Sequence, residues 1–454
     1  MSVKRHLILN GAATLFQQAV VAGRQLVTVP FFLYAWGAET YGEWLTLSAI
    51  PMAMALCDLG LGTAAANSFV LNYNRGEVVG AARAMKTGLL LIAVSTALGV
   101  LIALGVLYAL LLSNSLSRLS VAQETAVGVV AILLFSRLAS LAKPLNAAWF
   151  RAARRAHTAT QLATYFEVVR TLGTITLLWS GAGMLSIAVC DCIVSIASVG
   201  WLHARGKRLL PDVHMQGTSL MRSEIAEYFL KGLAFTMSPI RLAINNQGTL
   251  LVTRLALGPE SVALVSTLRT VVNSLSQLYG GINATIFPEL QRAIATGEMS
   301  VARRVYRIGI TAATTSSLIG CTALFFAGPT IYNLWTSAQL SPPRYAWCIL
   351  IAAILTHSLW RTAGSAFAAA NRPESFAIAG IIAASIGVAV SAILAMPIGI
   401  NGILSGLLMM EVVMAFYVIP ASCAIVGQSV AKLPNQILEE RRTIARSLLR
   451  ARTA

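Results

Sequence analysis

The sequence predicts an all-α polytopic membrane protein of about twelve transmembrane helices, arranged as two six-helix halves related by a pseudo-two-fold axis along the membrane normal. Three observations predict it. The 454 residues are 57% hydrophobic and only 11% charged, with a mean hydropathy of +0.72, whereas soluble domains are about a quarter charged. Basic residues collect in alternate connections between apolar runs. The second half of the chain also repeats the polar landmarks of the first. The net charge of +17 does not point to nucleic acid, because the basic residues fall in short clusters between apolar runs and not in one domain.

A membrane-spanning helix needs about 20 apolar residues and satisfies its own backbone hydrogen bonds, which hydrocarbon demands. Such runs lie at 8–34, 43–69, 82–112, 121–144, 157–179, 182–203, 225–253, 261–290, 303–334, 345–369, 375–397 and 401–427. The first follows Lys4, Arg5 and His6. It carries Gln17, Gln18, Arg24 and Gln25 and continues to Gly37, too long and too polar for the core of a cleavable leader. Connections after the even-numbered runs hold Arg75/Arg83/Lys86, Lys143/Arg151/Arg154/Arg155, Arg205/Lys207/Arg208/Arg222, Arg292/Arg303/Arg304/Arg307 and Arg372. Those after odd-numbered runs are poor in Lys and Arg, with Arg118, Arg254 and Arg344 the main exceptions, which places both termini in the cytoplasm of a multi-pass protein. The longest polar stretch, 204–224, reads as a cytoplasmic linker between an N-terminal half (1–203) and a C-terminal half (225–427). The basic tail 428–454 has Ile437, Leu438, Ile444, Leu448 and Leu449 at near-helical spacing. It reads either as an interfacial helix on anionic lipid or as a solvated tail.

A shift of 221 residues carries the first hairpin, "WGAETYGEW" (36–44), onto "LGPESVALV" (257–265). Gly37 meets Gly258, Glu39 meets Glu260, and "GEVVGAARAMKTG" (76–88) aligns with "GEMSVARRVYRIG" (297–309). Coincidences on Gly, Glu and Arg at helix ends are not what apolar composition produces by chance. Two parallel repeats about a central cavity are transporter architecture. In this reading the hairpin is a landmark on the outer face, its glutamates in water and Trp36, Tyr41 and Trp44 at the lipid interface.

Gly37-Ala38-Glu39-Thr40-Tyr41-Gly42, followed by Asp58-Leu59-Gly60-Leu61, resembles the opening of bacterial polysaccharide-export flippases. These form the Wzx-like branch of the multidrug/oligosaccharidyl-lipid/polysaccharide superfamily. The twelve-run layout, the repeat and "TIFPEL" (285–290) are also similar to that family, so the resemblance covers most of the chain in outline. It implies a MATE-like fold in the bacterial inner membrane. It also implies translocation of an undecaprenyl-pyrophosphate-linked oligosaccharide to the periplasmic leaflet, for cell-surface polysaccharide biosynthesis, beside a polymerase and other assembly proteins.

Charged groups at membrane depth are costly and face a cavity or a partner. Arg24, Arg170, Arg241, Arg269 and Arg361 lie inside predicted spans. Guanidinium supplies the permanent charge and bidentate geometry that a pyrophosphate needs. Gln17, Gln18, Gln25, Asn245, Asn246, Asn273 and Gln277 add amides suited to sugar hydroxyls. Glu167, Asp191, Glu411 and His357 are candidate coupling groups. Glu167 and Arg170, at i and i+3, equally well neutralise each other. Asp58, preceding Gly60 and Gly62, either carries protons or caps or kinks the second helix. Arg254 reads as an interfacial snorkeller. Cys190-Asp191-Cys192 lacks a ligand geometry, because i and i+2 point to different sides of a helix, and no metal or cofactor is expected. "GLGTAA" (60–65) follows no strand and is not a dinucleotide fingerprint. The rival functions are a cation-coupled multidrug exporter, a lipid II-type flippase and a non-transporting membrane scaffold. No acid is embedded in the first or seventh run, since Glu224 and Glu227 lie at the cytoplasmic edge, so the carboxylate an exporter usually needs is missing there; a lipid II-type flippase typically has two further helices.

Overall fold

The computed structural model describes residues 3–112, 120–215, 218, 221–370 and 372–441, nearly all of them helical. Each of the twelve apolar runs lies largely in helix, and the protein is a multi-pass membrane fold. Eight described stretches are long and apolar enough to cross a bilayer. The runs at 157–179, 225–253 and 261–290 fall short of that apolarity, since they carry the charged and amide side chains singled out above.

The chain divides into two compact units, Met1–Ala243 and Ile244–Ala454. In the first, α1 (Val3–Ala53) contains both sides of the opening hairpin and is broken by Gly37 at φ 72°, ψ 176°. A 3-10 turn (Met54–Asp58) and left-handed Leu59 and Gly60 lead into α2 (Leu61–Asn74). There follow α3 (Val78–Leu112), α4 (Gln123–Ala139), α5 (Lys143–Ala152), α6 (Ala156–Trp179), α7 (Met184–Lys207) and α8 (Arg222–Ala243). The second unit opens on a π-helical turn, Ile244–Gly248. It continues with α9 (Thr249–Leu257), α10 (Pro259–Ala295), α11 (Met299–Trp335), α12 (Arg344–Ala363), the short α13 (Ser365–Ala369), α14 (Pro373–Ile398) and α15 (Ile400–Val426). A further helical segment covers 433–441.

The repeat is written into the backbone. Gly258 has φ 88°, ψ 178°, matching Gly37, and this region is open to glycine alone. Gly76 and Gly297 also pair at φ 83° and 76°. The correspondence stops at Gly60. Its partner position, Gly281, lies within the unbroken α10, whereas Gly60 ends a broken helix. The break in the first unit is held by Asp58, whose Oδ1 accepts the Gly62 N–H at 3.0 Å. That is the capping role left open above. It also lets backbone meet backbone, since a Cβ on Gly60 would overlap the Gly232 carbonyl oxygen of α8.

The opening hairpin differs from its expected watery, lipid-facing character. Glu39 is exposed, but Glu43 is fully buried and accepts the Ser120 N–H at 2.6 Å and its hydroxyl at 2.7 Å. A carboxylate so enclosed is tolerated because the loop entering α4 supplies its donors. Trp36, Tyr41 and Trp44 gather around Phe32 at ring separations of 5.0–6.2 Å. Trp36 Nε1 donates to the Ala182 carbonyl at 3.1 Å, so the aromatics staple the hairpin to the turn entering α7.

Substitution at three glycines separates these effects. Gly37→Ala and Gly258→Ala, with open space around each Cβ, should each cost about 1–3 kcal/mol of backbone strain. Gly60→Ala adds overlap with α8 and should lower the melting temperature in detergent further. Equal shifts for all three would contradict the close approach of α2 and α8.

Candidate functional site

In the first unit, α1, α4, α6 and α7 bring four of the sequence-predicted charges together. α6 packs against both α1 and α7, and α4 against α7, so side chains on their facing sides meet. Arg24 Nε lies 2.9 Å from Glu167 Oε1. Glu167 Oε2 is 3.8 Å from Arg170 Nη1, and Arg170 Nε is 3.3 Å from Asp191 Oδ1. Asp191 Oδ2 accepts the Ser136 hydroxyl at 2.8 Å and lies 3.8 Å from Arg137 Nη2. Arg170 Nη2 donates to Ser195 Oγ at 3.0 Å. The i, i+3 pairing of Glu167 and Arg170 is therefore one link of a longer chain: Arg24, Glu167, Arg170, Asp191, Arg137.

Arg137 and Lys143 are additions that the sequence reading passes over. Arg137 is a base inside an apolar run, the same signal that picks out Arg24. The sequence places Lys143 in the basic connection after the fourth run. The helix instead bends through a 3-10 turn, Ser140–Ala142, and resumes as α5 with Leu145, Trp149 and Phe150 buried. Lys143 thereby stands at the bend, half-buried, in the field of Arg170, Arg137, Asp191 and Glu167. It pairs with no carboxylate among the described residues. Four bases against two acids leave the cluster two positive charges in excess. An excess of that kind in a low-dielectric setting favours an anion.

The second unit holds a different constellation. Arg269 on α10 donates from Nη1 to the backbone carbonyls of Asn245 and Asn246, at 3.1 and 3.4 Å, and from Nη2 to Asn246 Oδ1. A π turn widens the helix and loosens its carbonyl pairing, and the guanidinium meets those oxygens. Glu411 on α15 accepts Trp360 Nε1 at 2.6 Å and lies 3.0 Å from His357 Nδ1. Arg269 and Arg361 both sense the Glu411 charge, although Arg361 itself is exposed on α12. His357, Glu411 and Arg269 thus share one neighbourhood, to which Trp360 is an addition that the sequence did not suggest.

The remaining candidates are scattered. Arg241 is half-buried in the last turn of α8. Gln17 is half-buried, Gln18 exposed, and the buried Oε1 of Gln25 has no hydrogen-bond partner among the described residues. Asn273 is exposed on α10, and the side chain of Gln277 lies outside the described residues.

No family model and no curated protein matches the chain. Solved structures do. An inward-facing multidrug resistance MATE family transporter of the MOP superfamily aligns at TM-score 0.68 and 17% identity, covering 90% of this chain and 98% of its own. The MATE multidrug transporter DinF-BH aligns at 0.64 and 18%, covering 92% and 95%. A MOP superfamily transporter from Pyrococcus furiosus Vc1, described as having a binding pocket of reverse polarity that suggests a different function, aligns at 0.59 and 15%, covering 94% of each chain. The chain has the fold of these transporters, and at such identities the likeness is one of fold.

Removing Asp191 should expose how the charges depend on one another. Asp191→Asn leaves Arg137 and Arg170 without their shared counter-ion and should cost about 3 kcal/mol. Arg24→Gln should cost less, because the Arg24 side chain is 34% exposed and screened. Adding Arg137→Gln to Asp191→Asn should recover part of the loss in detergent unfolding. No recovery would mean the pair does not act as one.

Proposed function

We propose that the chain is a flippase that moves an undecaprenyl-pyrophosphate-linked oligosaccharide from the cytoplasmic to the periplasmic leaflet by alternating access. It would work in the bacterial inner membrane with both termini cytoplasmic. The observation that carries this reading is the surplus of two positive charges in the Arg24–Arg137–Lys143–Arg170 cluster. A diphosphate carrying a lipid and a sugar has two negative charges, so the cluster matches it in sign and amount. Arg170 and Arg137 offer forked donors for phosphate oxygens, and Lys143 offers an ammonium not committed to any carboxylate among the described residues. Gln17, Gln18 and Gln25, on the helix of Arg24, carry amides able to hydrogen-bond sugar hydroxyls. The structural relatives support a transporter fold without naming this cargo.

Glu411 and His357 are suited to a different task. The carboxylate and the imidazole are in contact at 3.0 Å, a pairing of groups able to hold and pass on a proton, and Arg269 lies in the same neighbourhood. In this reading they couple substrate movement to an ion gradient. Affinity for the cargo has to stay similar in the two access states, or the carrier would trap what it binds.

The competing reading is a multidrug exporter, since two of the relatives are described as multidrug transporters. An organic cation calls for acid in excess, and the first unit has base in excess. The Pyrococcus furiosus relative is described by a reverse polarity of its binding pocket that suggests a different function. A lipid II-type flippase shares the demand for cationic groups and differs in its glycan.

The test is complementation in a deletion strain, reading accumulation of undecaprenyl-linked glycan. Arg170→Gln and Lys143→Met should each weaken function by about tenfold or more, the loss of a charge-assisted hydrogen bond worth about 1.5–3 kcal/mol. Full rescue by both, together with full rescue by Arg24→Ala and Arg361→Ala, would remove the anion reading. Drug resistance on overexpression would restore the exporter.

A further inference from the structure

The described part of the C-terminal tail neither lies free nor only faces outward. Gly427, at φ 65°, ends α15 and turns the chain back, and the segment 433–441 then packs along α11. Leu433 is buried in the core of the second unit, and Ile437, one turn on, packs against the same cluster. The polar side of the segment meets a single stripe of α11. Arg303, Arg307, Thr311 and Thr314 are spaced i, i+4, i+8 and i+11, which keeps them on one helical face. Arg303 Nη1 donates to the Gly427 carbonyl at 3.5 Å, and Arg307 Nη1 to Gln428 Oε1 at 3.5 Å. Gln428 in turn donates to Gln436 Oε1. Arg307 Nε lies 3.7 Å from Glu440, and Arg441 Nη2 donates to Thr314 Oγ1 at 2.9 Å.

Two features mark this contact as reversible. Among the described residues two apolar side chains, Leu433 and Ile437, anchor the helix, while its ion pair with Arg307, at 3.7 Å, is long. The polar stripe is also incompletely satisfied. The Thr311 hydroxyl is buried with no hydrogen-bond partner among the described residues. The stripe thus keeps a donor that the described part of the tail does not occupy.

We propose that the tail helix is a latch on the basic end of the second unit, fastened by Glu440 on Arg307 and released when a phosphate group takes the place of Glu440. Glu440 is a carboxylate that meets this stripe at Arg307, so it stands where an anionic ligand would bind. Phosphate accepts from the same forked donors and brings more oxygens than a carboxylate does. When the helix leaves, Arg303, Arg307, Thr311 and Thr314 form an open strip of cations and hydroxyls. The phosphate can come from the surrounding bilayer or from a diphosphate at the membrane surface. The latch does not depend on the cargo assigned above.

Hydrogen exchange of amides 433–441 tests it, using the full chain in nanodiscs of zwitterionic phosphatidylcholine. E440Q should speed exchange about two- to fivefold, the effect of losing one partly exposed ion pair. Adding phosphatidylglycerol to the bilayer, or inorganic pyrophosphate to the solution, should speed exchange in the unaltered chain and do little further in E440Q. A response to phosphatidylglycerol alone identifies the bilayer as the source, and a response to pyrophosphate alone identifies a diphosphate. An E440Q chain as protected as the unaltered one, or no response to either phosphate, overturns the latch. If E440Q also loosens α11, the exchanged pair Arg307→Glu with Glu440→Arg decides. Restored protection supports the latch, and protection still lost overturns it.

Discussion

A charge inside a bilayer must be answered by an opposite charge, by donors or by a ligand, and the first unit is organised around that demand. Arg170 is its pivot, because it touches Glu167, Asp191 and Ser195 at once. Through those contacts α6 and α7 are joined to each other, to α1 by Arg24 and to α4 by Arg137. The apolar packing of these helices could be met in several rotations, since lipid is as good a neighbour as leucine. The ion-pair chain selects one of them. It also leaves a remainder of positive charge, so what fixes the fold and what prepares a site are the same set of side chains.

The second unit meets the demand in another way. Arg269 is answered by backbone oxygens that a π turn makes available, and Glu411 by an imidazole and an indole. Its tightest apolar packing lies elsewhere, between α14 and α15, where Gly387 and Gly406 let the backbones approach and Ser391 donates to the Ile403 carbonyl at 3.1 Å. Small residues of this kind replace the hydrophobic effect as the source of helix association in lipid.

Much of this was legible in the sequence, for definable reasons. Helices were legible because apolar length alone dictates them in hydrocarbon. The repeat was legible because positive-φ glycines such as Gly37 and Gly258 cannot be exchanged for other residues. Arg24, Glu167, Arg170 and Asp191 stood out as charges in apolar runs, but sequence could not say which of them meet. Lys143 was missed because hydropathy ends at a bend as it does at a membrane surface. Glu43 was misread because a hairpin glutamate with buried donors is written in the same letters as one in water. The tail stayed ambiguous because the near-helical spacing that includes Ile437 suits protein and lipid alike, and its further members Ile444, Leu448 and Leu449 lie outside the described residues.

The π turn at Ile244–Gly248 has a geometric consequence. The 221-residue register runs through it without a gap, and Gly258 keeps the backbone angles of Gly37. The corresponding stretch of α1, 23–27, is ordinary α-helix. One turn that takes up an extra residue sets the helix before it out of phase by about 100°. Upstream of Ile244, matched positions in the two repeats therefore point to different compass bearings around their axes. The sequence register is kept across the turn while the helical phase is not, so a substitution copied between matched positions will not land on an equivalent helix face.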